Sequence, residues 1–300
     1  MRRAGLLIEK NNRLLAILAG LSAAVIWGLW FPITRAGISD SIITPADMVL
    51  LRGVAGAIVF APLVYRFGMK AGNAGWGGTI AILLSMSGPF AYAIGMGAKF
   101  APAAHAAIFT PGMYPALVFL LALLVLRDPV TTRRWIGFTA ILLGAALAAW
   151  SAFEIAGPGN LSGYIWFHAC AWFWAIYTLI VRVSNLAPGH ALGITHVGTA
   201  LVYVPIWIVM GDTGLFDLSF KQLIFQVGYH GVLNGVVAMF FYNFAVQRLG
   251  AAEGAVFAAL VPSIAAFSAW PLLGEQIGLK EGAALLVVSI GVVLISGARR

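Results

Sequence analysis

Charge is what this chain has least of. Asp, Glu, Lys and Arg make up only 9% of its 300 residues, against 61% hydrophobic residues and a mean hydropathy of +0.95. A surface in water needs about a quarter of its residues charged, so most of this surface must face lipid. The single Cys170 excludes an internal disulfide framework. No HExxH, CxxC or GxxxxGK[ST] occurs, nor any Ser/His/Asp arrangement at credible spacing. An enzyme, a bound metal, a cofactor and an ATP-driven pump within this chain are therefore not expected. The net charge of +8 does not point to nucleic acid, because the basic residues are scattered over loops. Acid and base are also missing from mid-membrane depth. All five lysines lie at helix ends or in loops, and no Asp or Glu falls near the middle of an apolar run. The run Leu14 to Thr34 holds no Glu, and nothing basic lies deeper than Arg52.

What is present is apolar length. A crossing needs roughly 20 apolar residues, and such runs fall near 14–34, 46–66, 77–97, 101–126, 132–150, 161–182, 190–210, 222–247, 250–272 and 279–297. Met1-Arg2-Arg3 before Leu14 faintly resembles a signal peptide, but the run that follows is long enough to be the first span. The breaks are short and carry Pro, Gly, Asn or charge, as at Gly68-Met69-Lys70, Arg127-Asp128-Pro129 and Gly157-Pro158-Gly159-Asn160. The expectation is an all-α membrane protein.

The chain also aligns with itself. A shift of 147 residues lays Trp27 on Trp174, Arg35 on Arg182, Pro115 on Pro262, Asp128 on Glu275, Arg133 on Lys280 and Gly144 on Gly291. Residues 1–150 and 151–300 are two repeats of about five helices, sharing one core because the linker near 151–160 is too short to part them. An odd number of crossings turns the second copy upside down, giving two inverted five-helix repeats around a central cavity. Basic residues then set the orientation. With both ends inside, 13 of the 18 Arg and Lys lie on the inner side and 5 on the outer, which predicts cytoplasmic N- and C-termini.

The first-span stretch Ala24-Val25-Ile26-Trp27-Gly28-Leu29-Trp30-Phe31-Pro32-Ile33-Thr34-Arg35 resembles the drug/metabolite transporter superfamily, in its ten-helix form with two EamA-like repeats. So do Arg52 and the paired runs from Pro115 to Asp128 and from Pro262 to Glu275. Within it the chain is most similar to bacterial exporters of amino acids, aromatic ones in particular. The resemblance implies ten helices around a cavity lined from both repeats. With it, the expected function is a secondary or facilitative exporter of small organic solutes, most of all amino acids, in a bacterial-type inner membrane, and the inverted duplication points to alternating access. The partners it implies are a small-molecule substrate and the lipid bilayer, with the chain monomeric. The alternatives are a multidrug or purine/nucleoside exporter of the same fold, and a non-transporting membrane sensor or scaffold.

Ionisable groups are costly at mid-depth, so the candidates are neutral polar and aromatic residues. Ser85 and Tyr92 share a face in the third span. Thr110 and Tyr114 stand in the fourth beside Pro111 and Pro115, two prolines that remove two backbone donors and free carbonyls. His168 and Trp172 share a face of the sixth span, opposite Trp174, and His230 and Asn234 repeat that spacing in the eighth. With Trp27 these form the expected substrate-binding set, and Pro111, Pro115 and Pro262 the expected hinges. Each has a plainer reading: hydrogen-bonded packing for the histidines, an interhelical contact for Asn234, packing for Trp27 and the prolines, and an interfacial belt for Trp76, Trp135 and Trp166. Arg52 is read as snorkelling or pairing with Asp47 rather than meeting substrate, and Glu253 as capping the ninth helix. The chamber is expected to be nearly uncharged.

Overall fold

The computed structural model describes residues 2–40, 42–128, 130–156, 161–249 and 251–296, with side chains described from residue 13 onward except 152, 155, 156 and 251–255. The Gly157–Asn160 break, Pro129, Arg299 and Arg300 lie outside the described residues, as do the side chains of Arg2, Arg3, Lys10 and Glu253.

Among the described residues, ten helices are long and apolar enough to cross a bilayer. They are span 1 (Arg13–Ser39), span 2 (Pro45–Phe67), span 3 (Gly72–Phe100), span 4 (Ala103–Leu126), span 5 (Thr132–Ser151), span 6 (Leu161–Val183), span 7 (Pro188–Met210), span 8 (Phe220–Leu249), span 9 (Val256–Leu273) and span 10 (Leu279–Ser296). The reason is backbone economy. In hydrocarbon every N–H and C=O must be satisfied within the segment, and at 1.5 Å per residue a helix of about 20 residues bridges the core. The perimeter carries bare apolar side chains such as Val209, 86% exposed, and Ile58, 74% exposed. In water these would be a liability; against lipid tails they are the solvated face.

Neighbour relations obey the duplication. Span 1 packs on spans 8 and 9, as its repeat mate span 6 packs on spans 3 and 4; span 2 packs on its own mate span 7, and span 5 on its mate span 10. The last pairing is close because it is built on glycine: a Cβ on Gly291 would stand 2.8 Å from the carbonyl oxygen of Gly137, and one on Gly137 would stand 2.7 Å from the backbone nitrogen of Ile295. Five crossings per repeat leave both chain ends on one side, here the terminal side; the other is the far side.

Three spans are irregular near mid-depth. Span 3 divides into Gly75–Leu84 and Gly88–Phe100, because Pro89 in the first turn of the second piece has no N–H to continue the ladder. Span 4 runs from Ala103–Ala107 through a widened π-type turn at Ile108–Gly112 and resumes at Tyr114–Leu126. Its mate, the helix Ala251–Leu273, runs on through Pro262. Span 4 carries Pro111 as well as Pro115 and so lacks two donors, whereas Ala258 holds the position matching Pro111 and keeps its donor. Span 8 is π-helical over Val227–Val237, the stretch holding His230 and Asn234. Wide π-turns frequently mark functional sites.

Candidate substrate chamber

A cavity of about 220 Å³ lies between the repeats. Its wall takes Trp27, Trp30 and Phe31 from span 1, Arg52 from span 2, Phe90 from span 3, Tyr114 from span 4, Trp174 and Tyr177 from span 6, His196 from span 7, and Asn234 and Tyr242 from span 8. Every contributing helix has its repeat mate nearby, so the cavity sits on the pseudo-twofold relation. The aromatic wall is ordered by ring contacts. Tyr114 stacks on Trp174 at 4.2 Å and 6°, and Trp27 meets Tyr242 at 5.1 Å. Such contacts contribute roughly 0.5–1.5 kcal/mol beyond area burial.

The expectation of an uncharged chamber is corrected by Arg52. Its guanidinium lies 4.9 Å over the ring of Trp30 and 5.5 Å from Phe90, and its Nη1 donates to Asn234 Oδ1 at 3.1 Å. It neither snorkels nor pairs with Asp47. That carboxylate is taken at the far side by the backbone N–H of Thr44 and Gly214, the Thr213 hydroxyl and the Trp207 indole, all at 2.7–3.0 Å. Aromatic faces and a carboxamide hold the cation because both offer electron density without a formal charge.

The histidines differ in role. The Trp30 indole donates to His230 Nδ1 at 3.0 Å, fixing a fully buried ring just behind Asn234. His196 lines the chamber itself; its Nδ1 bonds the carbonyl of Arg52 at 3.1 Å and its ring stacks on Phe60. Gly56 makes room for it, since a Cβ there would stand 2.3 Å from the imidazole.

Of the residues expected to bind substrate, Trp27, Tyr114 and Asn234 line this chamber, as does Pro111. Others are placed elsewhere. Ser85 donates back to Ala81 O at 2.6 Å, and Thr110 donates to Phe167 O at 3.2 Å. Tyr92 lies edge-on to Trp166, while half-buried Trp172 packs against the core and His168 is half-buried on the same helix. Pro115 and Pro262 are buried within their helices. The further ring side chains of the wall are Trp30, Phe31, Phe90, Trp174, Tyr177, His196 and Tyr242. Two signals in the sequence point to part of this set: Trp30 is one turn from Trp27, and Tyr242 is two turns from Asn234.

The two ends of the chamber differ. On the far side Arg35 Nε donates to Glu275 Oε1 at 2.6 Å, Arg35 Nη1 to Ala98 O at 2.6 Å, and the N–H of Ala103 to Glu275 Oε2 at 2.9 Å. Spans 1, 3, 4 and 9 are thereby tied across the opening. The repeat mates of Arg35 and Glu275 are Arg182 and Asp128, which pair at 2.8 and 3.1 Å on the terminal side. There Arg182 is 54% exposed against 24% for Arg35. Lining residues Val181, Pro188 and Leu192 carry the chamber toward that same side. A second polar cluster sits apart near the far side: His105 Nδ1 meets the Tyr164 hydroxyl at 2.7 Å, and buried Glu281 accepts from Ser151 with His105 Nε2 at 4.0 Å.

The sequence pattern of the EamA-like transporter family matches residues 14–150 and again residues 161–297, the same 147-residue offset as the internal alignment. No curated protein matches the sequence. A solved structure described as "Crystal structure of protein" is similar with a TM-score of 0.62, 18% identity, and coverage of 93% of this chain and 94% of its own. At that identity the likeness concerns the fold.

Proposed function

Because the chain belongs to the EamA-like transporter family, we propose that it exports small organic solutes from the cytoplasm as a secondary or facilitative transporter, with amino acids, aromatic ones included, the favoured cargo. The observation carrying this reading is a chamber walled by aromatic side chains from both repeats, reaching toward the terminal side and tied shut at the far side by the Arg35–Glu275 network. The 13-to-5 bias of basic residues supports a cytoplasmic terminal side, and on that reading this is the loading state of an exporter.

Alternating access then needs two exclusive closures. Loading from the cytoplasm leaves Arg35–Glu275 intact; release requires it to part while the equivalent region around Arg182–Asp128 closes. The inverted duplication lets one helix packing serve both states with the halves exchanging roles. The breaks in spans 3, 4 and 8 are where the helices flex, since each already lacks regular backbone hydrogen bonds. No Asp or Glu stands among the described lining residues, which favours movement down a concentration gradient without obligatory proton coupling.

Purified protein in liposomes tests both statements. Tritiated phenylalanine is expected to equilibrate across the bilayer without an imposed pH gradient. Flux that requires such a gradient and vanishes when His168 or His230 is replaced overturns the uncoupled mechanism, and no flux of any amino acid overturns the cargo.

A further inference from the structure

We infer that the Arg52–Asn234 corner of the chamber is a carboxylate site, so that the cargo is a monoanionic acid head on an apolar or aromatic tail and an amino group is dispensable. This deepens the transporter reading and rests on it for the direction of movement, but not for binding.

The argument is a donor and acceptor count. An indole N–H can only donate, so the Trp30 bond makes His230 Nδ1 an acceptor and leaves the ring proton on Nε2. That Nε2 is buried and has no partner. A guanidinium can only donate, so the Arg52 bond identifies the Asn234 oxygen and leaves its NH₂ as donor. The amide nitrogen is likewise buried without a partner, in a residue only 4% exposed. Arg52 has spent one of its N–H groups on Asn234, and no carboxylate among the described residues pairs with it. His196 donates its Nδ1–H to the Arg52 carbonyl and so keeps Nε2 as an acceptor; the groups left open on Arg52, Asn234 and His230 are all donors, and the corner carries a positive charge.

Orphaned buried donors cost about 1–3 kcal/mol each, and a cation away from water costs more unless it is compensated. The complement to those donors is a ligand group that accepts and carries a negative charge. A carboxylate supplies two coplanar oxygens, which suit a guanidinium edge and an adjacent amide N–H. A phosphate dianion fits less well, because one cation faces it and most of the rest of the wall is apolar, with rings and thioethers from Trp27, Phe31, Met86, Tyr114, Trp174 and Met239. That wall accepts a hydrophobic tail. With no Asp or Glu lining the chamber among the described residues, an α-ammonium finds no carboxylate, only ring faces and neutral acceptors such as Asn243 and the tyrosine hydroxyls.

The test uses four solutes with one tail and different heads: 3-phenylpropionate, phenylalanine, 3-phenylpropionamide and phenethylamine. Binding to the full chain in liposomes is read from tryptophan fluorescence, since Trp27, Trp30 and Trp174 line the chamber, and uptake is read separately with labelled solutes. The two carboxylates are expected to bind within about threefold of each other, and the amide and amine about tenfold or more weaker, the scale of a charge-assisted hydrogen bond. Arg52→Gln and Asn234→Leu should each weaken the carboxylates about tenfold while leaving the amide unchanged. Equal binding of amide and carboxylate, tightest binding of the amine, binding of none of the four, or undiminished carboxylate binding in Arg52→Gln overturns the site. The head-group series on the unaltered protein keeps the test valid should a variant not fold. Selective carboxylate binding without flux retires transport and leaves the site standing; flux indifferent to the head group does the reverse.

Discussion

Spans 2 and 8 cross where Arg52 meets Asn234; spans 7 and 3, their repeat mates, cross where Thr199 meets Ser87. The shift of 147 residues lays Arg52 on Thr199 and Ser87 on Asn234. Both crossings kept a side-chain hydrogen bond, but the chemistry diverged. The Ser87 and Thr199 hydroxyls bond each other, Thr199 also bonds the carbonyl of Thr195 at 2.7 Å and Ser87 reaches the same carbonyl at 3.2 Å. A hydroxyl both donates and accepts, so the pair is satisfied within the protein and closes on itself. A guanidinium and a carboxamide have one acceptor between them once bonded, so donors are left over. Duplication supplied two equivalent positions at mid-depth, and the difference in hydrogen-bond inventory made one a seam and the other the candidate site.

The largest break in that comparison is to make the two crossings alike. Arg52→Thr with Asn234→Ser recreates the neutral pair, and carboxylate flux into liposomes is expected to fall about 100-fold, the loss of one charged and one neutral hydrogen bond. Removing the other buried ionisable group of span 2 acts on folding instead. Asp47→Ala strips four hydrogen bonds from the far-side end of span 2 and should lower stability by about 2–4 kcal/mol, measured by thermal unfolding in detergent, with ligand affinity unchanged in the fraction that remains folded.

Next come the two ion pairs. Arg35→Gln should raise far-side labelling of a cysteine placed at Phe31 about tenfold, whereas Arg182→Gln should change it less than twofold, since the more exposed pair contributes roughly 0–1 kcal/mol. The charge exchange Arg35→Glu with Glu275→Arg should restore protection; its failure to do so would show that the ion pair does not hold the closure. Gly56→Ala forces a methyl against the His196 ring, and a threefold to tenfold loss of carboxylate affinity is expected, roughly 1 kcal/mol of displaced packing. The smallest effect belongs to the seam: Ser87→Ala should leave flux within about twofold, at a stability cost of about 1 kcal/mol.

How far the site can be read along the chain follows from the same comparison. His168 and His230 carry the same local signature, a histidine with a polar or aromatic partner one turn on, in spans of similar hydropathy. One is half-buried away from the chamber wall; the other is fully buried against Trp30, 200 residues distant. Nothing in the neighbourhood of either residue separates them. Along the chain Arg52 reads as a snorkelling residue because depth in the span is a local quantity, while the aromatic faces that hold it come from spans 1 and 3. Pro89 shows the opposite case. Its missing N–H acts on its own helix, and the break it makes follows from local chemistry.

Ten membrane-length helices, their duplication and the predicted orientation came from the amino-acid order alone. Lipid imposes length and apolarity on each segment separately, and a shared ancestry shows as a fixed offset. Which polar groups meet was decided by the tertiary structure, because a hydrogen bond at mid-depth depends on partners from other helices and on the turn of each helix about its axis. Arg52 became a candidate site only when its neighbour proved to be Asn234 rather than Asp47, a choice made by packing between residues 182 apart.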